Sequence, residues 1–127
     1  MGLPLPRDAS IIVFYAGRTA STTEQGVNGV LIARVYKESG ASRIMHMRGR
    51  MYPGKMTRAP LAMGVLQGLR MCRRDGWGPV HVAGNSHVMN RQQQTRTPPR
   101  EKALKAAYWA VRRTADAVGV ANWAVLP

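Results

Sequence analysis

Acidic residues are what this chain lacks most: six Asp and Glu stand against 19 Lys and Arg, a formal net charge of +13 over 127 residues. The six lie at positions 8, 24, 38, 75, 101 and 116, and no two have a helical or strand spacing that would bring them to one point. Paired-carboxylate hydrolysis and a carboxylate-built site for hard cations are therefore not expected. Cysteine is almost absent too. Cys72 alone cannot make an internal disulfide or a multi-cysteine zinc site, so a reducing compartment is allowed and nothing favours secretion. Long apolar runs are missing: Ile11 to Ala16 is far shorter than the ~20 residues of a membrane span. The N-terminus shows no basic-then-apolar signal pattern. A soluble intracellular protein, cytoplasmic or nuclear, with no membrane partner is the expectation. The Gly-rich turns lack the Lys-Ser/Thr of a nucleotide-phosphate loop, and no cofactor is expected. There is no repeat and no Gly/Ser linker, so residues 1–10 read as an N-terminal arm and residues 11–127 as one domain.

The positive charge is unevenly placed. Residues 1–40 are nearly balanced, whereas residues 41–127 carry fifteen bases against Asp75, Glu101 and Asp116, a local net of +12. Such an excess favours polyanions: nucleic acid first, an acidic protein second.

Hydrophobic patterning predicts an α/β order of β-β-β-α-β-α-β, in which the short helix after the fourth strand is not counted. Ile11-Ile12-Val13-Phe14-Tyr15 is a continuous β-branched and aromatic run, closed by a small, polar loop over residues 16–21. Residues 27–37 and 42–50 read as two strands of a hairpin around Glu38-Ser39-Gly40. Leu61, Val65, Leu69 and Cys72 then recur at helical spacing, up to Asp75-Gly76. Val80 to Ala83 is a short strand, and a short helix follows Gly84-Asn85-Ser86. Pro98 and Pro99 precede a long helix from Glu101 to Val118, with Gly119 as its stop. Residues 122–126 form a last strand. Trp109 and Trp123 are expected in the core, and the methionines of residues 45–51 as core or edge filling, with a partner groove as the alternative. If the fourth strand lies parallel beside the first, Ala16 and Asn85 meet at a switch in strand direction, where open α/β sheets bind ligands.

Three segments carry a resemblance. Phe14-Tyr15-Ala16-Gly17-Arg18 followed by Gly26-Val27-Asn28-Gly29 resembles the opening of ribonuclease H-like domains, where an Asp-Gly pair closes strand one; Ala16 stands in the place of that Asp. Residues 57–69, aligned on Gly64 and Gly68-Leu69, resemble the first helix of the family, with Pro60-Leu61 in place of an Ala-Glu pair. Gly84-Asn85-Ser86-His87-Val88-Met89-Asn90-Arg91-Gln92 is similar to its Gly-Asp-Ser segment, with Asn85 in place of the Asp. The resemblance implies a five-stranded mixed sheet of order 3-2-1-4-5, its first three strands antiparallel, flanked by helices. It also implies a domain that stops before the C-terminal helix in which the family bears a further acid.

On that reading the metal-binding positions Ala16, Leu61 and Asn85 are degenerate. The function expected is a catalytically inactive ribonuclease H-like module that binds RNA, DNA or their hybrid through the phosphate backbone. A protein-interaction or dimerisation module is the alternative, and residual metal-dependent ribonuclease activity a third. Arg18, Thr19, Lys55, Thr57, Arg58, Asn85, Ser86 and Gln92 would ring the cleft mouth. Arg91, Arg96 and Arg100 would extend the basic track. No metal is expected, and His87 and Cys72 read as structural.

Overall fold

The computed structural model describes residues 9–19 and 25–126. Its elements are β1 (Ala9–Thr19), β2 (Gly26–Tyr36), β3 (Ser42–Tyr52), α1 (Arg58–Arg74), β4 (Val80–Gly84), α2 (His87–Thr95), α3 (Lys102–Val118) and β5 (Val120–Val125). The strands form one sheet of order β3-β2-β1-β4-β5. β1, β2 and β3 pair antiparallel, whereas β4 joins β1, and β5 joins β4, in parallel. This is the mixed five-stranded topology that the resemblance implies.

β1 is longer than its apolar run. Ala9 and Ser10, placed in an arm from sequence, pair with Tyr36 and Val35, and Gly17, Arg18 and Thr19, read as a loop, pair with Asn28, Val27 and Gly26. The antiparallel partner supplies ladder hydrogen bonds along its whole length, and this overrides the weak local strand preference of small and polar residues. The rest of the proposed arm, residues 1–8, and the loop positions 20 and 21 lie outside the described residues.

The core forms where two periodicities meet. Alternation turns Ile11, Val13 and Tyr15 of β1, Val30 and Ile32 of β2, and Val80 and Val82 of β4 to one side of the sheet. There they pack against Leu61, Val65, Leu69 and Cys72 of α1 and Val111 and Ala115 of α3. Gly68 lets α1 approach closely: a Cβ there would lie 3.0 Å from Val30 and 3.1 Å from Val13. Pro60 is tolerated in the first turn of α1, where no intrahelical donor is needed, and Arg73 and Arg74 suit its C-terminal end. Trp123 is buried as expected, but Trp109 is 45% exposed. Tyr108 takes the inward position, and one residue further along the helix Trp109 turns outward, edge-on to Tyr108 at 5.2 Å. Met45 packs against the core, whereas Met47 and Met51 are exposed, because the register shift opposite Ile32 and Ala33 leaves Met45 as the unpaired residue and interrupts the alternation of β3.

The other face of the sheet differs in chemistry. Register aligns Met47, Leu31, Phe14, Ala83 and Ala124 in one row across the sheet, and Ile44, Ala33, Ile12, His81 and Asn122 in the next. Neither row holds Lys, Arg, Asp or Glu, and no helical residue lines the two hollows on this face.

Two features yield expected outcomes. A Cβ on Gly84 would collide with the Tyr15 ring, so Gly84→Ala is expected to lower stability by about 1–3 kcal/mol, read by thermal unfolding. The Cys72 thiol is fully buried, and burial, reinforced by the charge of Asp75, pushes its pKa up to about 12. Burial likewise pushes the Tyr15 phenol upward. Both groups are held neutral by the fold, so their contribution is fully present below the ordinary thiol pKa of 9.0 and is lost as pH rises towards about 12. A disulfide thiol reagent at pH 8 should leave native Cys72 unmodified and react on unfolding, and the melting temperature should fall as pH climbs through this window.

Candidate nucleic-acid cleft

The parallel pairing of β1 and β4 ends at Tyr15 and Gly84, and the chains diverge there at the carboxyl ends of both strands. Asn85 spans the gap. Its Oδ1 accepts from the Gly17 N–H at 3.1 Å, and its Nδ2 donates to the Gly17 carbonyl at 2.9 Å. The side-chain amide thus imitates a strand backbone and prolongs the ladder by one step. A carboxylate at this position could accept from the N–H but would face the carbonyl with a second acceptor. Leu61 lies beneath the same glycine: a Cβ on Gly17 would stand 2.8 Å from Leu61 Cδ1.

Around this point Gly17, Arg18, Thr19, Met56, Thr57, Arg58, Leu61, Asn85 and Ser86 line an open cleft of about 240 Å³. Several of its polar groups already have structural work. Thr19 Oγ1 accepts from the Met56 N–H at 2.9 Å, tying the segment before α1 to β1. Ser86 caps α2 by accepting from the Met89 N–H at 3.3 Å. Arg58 donates to Glu101 at 3.1 Å, an exposed pair that holds the guanidinium at the rim at little energetic cost. Arg18 and Thr57 are exposed in the cleft.

The structure therefore brings Arg18, Thr19, Thr57, Arg58, Asn85 and Ser86 together. It does not bring the remaining candidates there. Lys55 is exposed just before α1, outside the cleft lining. Gln92 turns into an interior hollow bounded by α1, α3 and Trp123. Arg91 and Arg100 are exposed elsewhere, and Arg96 is bound to Asp116 at 3.1 Å. Ala16 also departs from expectation. Its backbone runs beside Asn85, but alternation sends its side chain to the opposite face, where it lines a hollow with Phe14 and Leu31. Of the three replaced positions, Leu61 and Asn85 meet at Gly17 and Ala16 does not.

Sequence reasoning missed the buried polar residues that support the cleft. Asn90 is 1% exposed: its Oδ1 accepts from the Tyr15 hydroxyl at 2.7 Å, and its Nδ2 donates to the carbonyls of Ala124 at 2.9 Å and Gly84 at 3.2 Å. Arg112, also buried, donates to the Gln93 carbonyl at 2.8 Å and to Asp116 at 2.9 Å, and lies over the Trp123 ring. Although burial opposes ionisation, the guanidiniums of Arg96 and Arg112 hold Asp116 below its ordinary value. A polar residue one turn into α2 was the only sequence signal for Asn90.

No protein-family model matches the sequence, and no curated protein matches it. Solved structures do. The N-terminal RNase H domain of a Mycobacterium tuberculosis protein superposes with a TM-score of 0.74 at 14% identity, over 94% of this chain and 83% of that one. The fold is that of a ribonuclease H domain. RNase H1 of the archaeon Halobacterium salinarum is similar at a TM-score of 0.63 and 16% identity, over 92% and 83% of the two chains. A compost-derived RNase H1 solved in complex with an RNA/DNA hybrid matches at 0.63 and 19% identity, over the same shares.

The catalytic metal ions that such a fold implies do not fit these residues. Both amide atoms of Asn85 are engaged by Gly17, Leu61 offers no ligand atom, and no group of three or more His, Cys, Asp or Glu side chains gathers among the described residues. Hard dications require several anionic oxygens.

The clasp makes a direct prediction. Asn85→Asp should lower stability by about 1–2 kcal/mol at pH 7, because an ionised carboxylate cannot donate to the Gly17 carbonyl. A protonated carboxyl can, so part of the loss should be regained as pH falls through the carboxylate range, in chemical-denaturation curves at pH 7 and pH 4.

Proposed function

We propose that this domain is a catalytically inactive ribonuclease H-like module that binds nucleic acid, RNA, DNA or their hybrid, mainly through phosphate contacts at the β1–β4 cleft. The observation that carries the reading is the conversion of that cleft. An amide clasp and a leucine replace ligands, while Arg18, Arg58 and Thr57 at its rim supply the cations and hydroxyl that suit phosphate and sugar oxygens. The net charge of +13 and the hybrid-bound structural neighbour support the same class of ligand. No helix stands ready to read base edges, so affinity comes from the backbone, with little sequence preference.

A second reading, a dimerisation module, rests on the two uncharged rows of the outer sheet face. In so basic a chain, two copies would repel least where Phe14, Leu31, Ile12 and Met47 face each other.

An RNA/DNA hybrid should remain uncut by the pure protein in excess Mg²⁺ or Mn²⁺; cleavage would restore the third reading, residual nuclease activity. Binding should weaken with salt, with a log–log slope of about −0.9 per phosphate neutralised on duplex DNA and about −0.7 on single strands. Arg34, which sequence alone would make a neutral control, has a buried Nε, so the exposed Lys37 serves instead. Arg18→Ala with Arg58→Ala should weaken binding and flatten the slope, and Lys37→Ala should do neither. Absence of binding at low salt, with a concentration-dependent dimer in sedimentation, would favour the second reading.

A further inference from the structure

Seven arginines and no acidic residue occur in β3 and α1 together. The sheet register sorts part of this charge. Val30, Asn28 and Ile32 of β2 face the helical side, and their partners on β3 are Arg48, Arg50 and His46; Arg43 pairs with Arg34 further along the same side. α1 packs over β1 and β2 and leaves the helical side of edge strand β3 open. A groove results, with Arg48, Arg50 and Tyr52 along its floor and Met63 and Gln67 on its helical wall. Arg48 reaches the wall, donating to Gln67 at 3.2 Å. Arg50 and Arg43 are exposed and have no ion pair among the described residues. Of the acids flanking these elements, Asp75 is already bound to Arg74, and Glu38, exposed in the turn before β3, makes no ion pair among the described residues.

Residues two apart on a strand stand about 7 Å from each other along the backbone and share one face, and like charges so placed repel unless an anion lies between them. Arginine's planar fork matches phosphate oxygens. The row is also continuous with the cleft: Tyr52 pairs with Gly26, a Cβ on which would touch Met56, a residue of the cleft wall. From Arg50 to Arg43 the floor extends about 24 Å along the strand.

We propose that the groove between α1 and β3 is a second nucleic-acid track, which holds one single strand leaving the cleft by its phosphates. This rests on the cleft reading of the domain. Arg48 and Arg50 are the contact residues, and one row of cations between a helix and an edge strand suits one line of phosphates.

The test compares two labelled probes on the full chain: a blunt RNA/DNA hybrid and the same hybrid with a single-stranded tail of about six nucleotides, within the site sizes common for single strands. Wild-type protein should bind the tailed probe several-fold more tightly. Arg48→Ala with Arg50→Ala should abolish that gain and reduce the salt slope for the tailed probe by about 1.4, or about 0.7 per lost phosphate contact. Arg48→Lys with Arg50→Lys should keep most of the slope, which separates charge from packing. Arg18→Ala with Arg58→Ala should weaken both probes and leave their ratio unchanged. Equal affinity for the two probes, or a gain that survives the double alanine change in a protein with unaltered near-UV circular dichroism, overturns the groove while leaving the cleft reading intact. Failure of wild type to bind either probe overturns both.

Discussion

The buried hydrogen bond between the Tyr15 hydroxyl and Asn90 is the contact on which the site end of the molecule depends. Asn90 belongs to α2, Tyr15 to the central strand, and the two carbonyls that take the Asn90 amide protons belong to β4 and β5. One side chain therefore fixes one helix against three strands. Inside the core each of these groups would lose water without compensation if its partner were absent, so the network is all-or-none in character. It also constrains the backbone. The Tyr15 ring reaches Asn90 only by crossing β4, and it crosses where Gly84 has no side chain.

Asn85 sits just beyond that glycine, so its own position is set by the same arrangement. The β1–β4 pair is held at Tyr15 and Gly84, and the amide then closes the next step through Gly17. A site meant to hold dications keeps carboxylates apart and free, tolerating their repulsion because metal relieves it. Here the end of the β1–β4 pair is closed by a neutral amide whose hydrogen bonds are satisfied by the backbone. Asn85 spends both atoms of its amide on two hydrogen bonds that stabilise the strand ends.

Charge is segregated rather than spread. The outer rows of the sheet carry no ionised side chain, whereas the helical side of β3 and both ends of α1 are rich in arginine. Acids serve mainly as local partners, Glu101 for Arg58, Asp75 for Arg74 and Asp116 for Arg96 and Arg112. Arg43 and Arg50 of β3 and Arg18 of the cleft have no ion pair among the described residues. A polyanion would meet a directional surface, not a uniform cloud.

Sequence alone determined the strands, the helices and their order, because β-branched runs, helical spacing of apolar residues and Gly/Pro stops are local properties. It also determined that no carboxylate stands at positions 61 and 85, and that the chain is strongly basic. Tertiary structure decided the rest. The extension of β1 through Thr19 depended on a partner strand, and the exposure of Trp109 depended on which of two adjacent aromatics α3 turned inward. The separation of Ala16 from Leu61 and Asn85 followed from the two-residue period of the sheet, which sends neighbours to opposite faces. Whether an arginine is free or already paired, as with Arg50 against Arg96, is a question of three-dimensional distance between residues far apart in the chain, and no local pattern contains it.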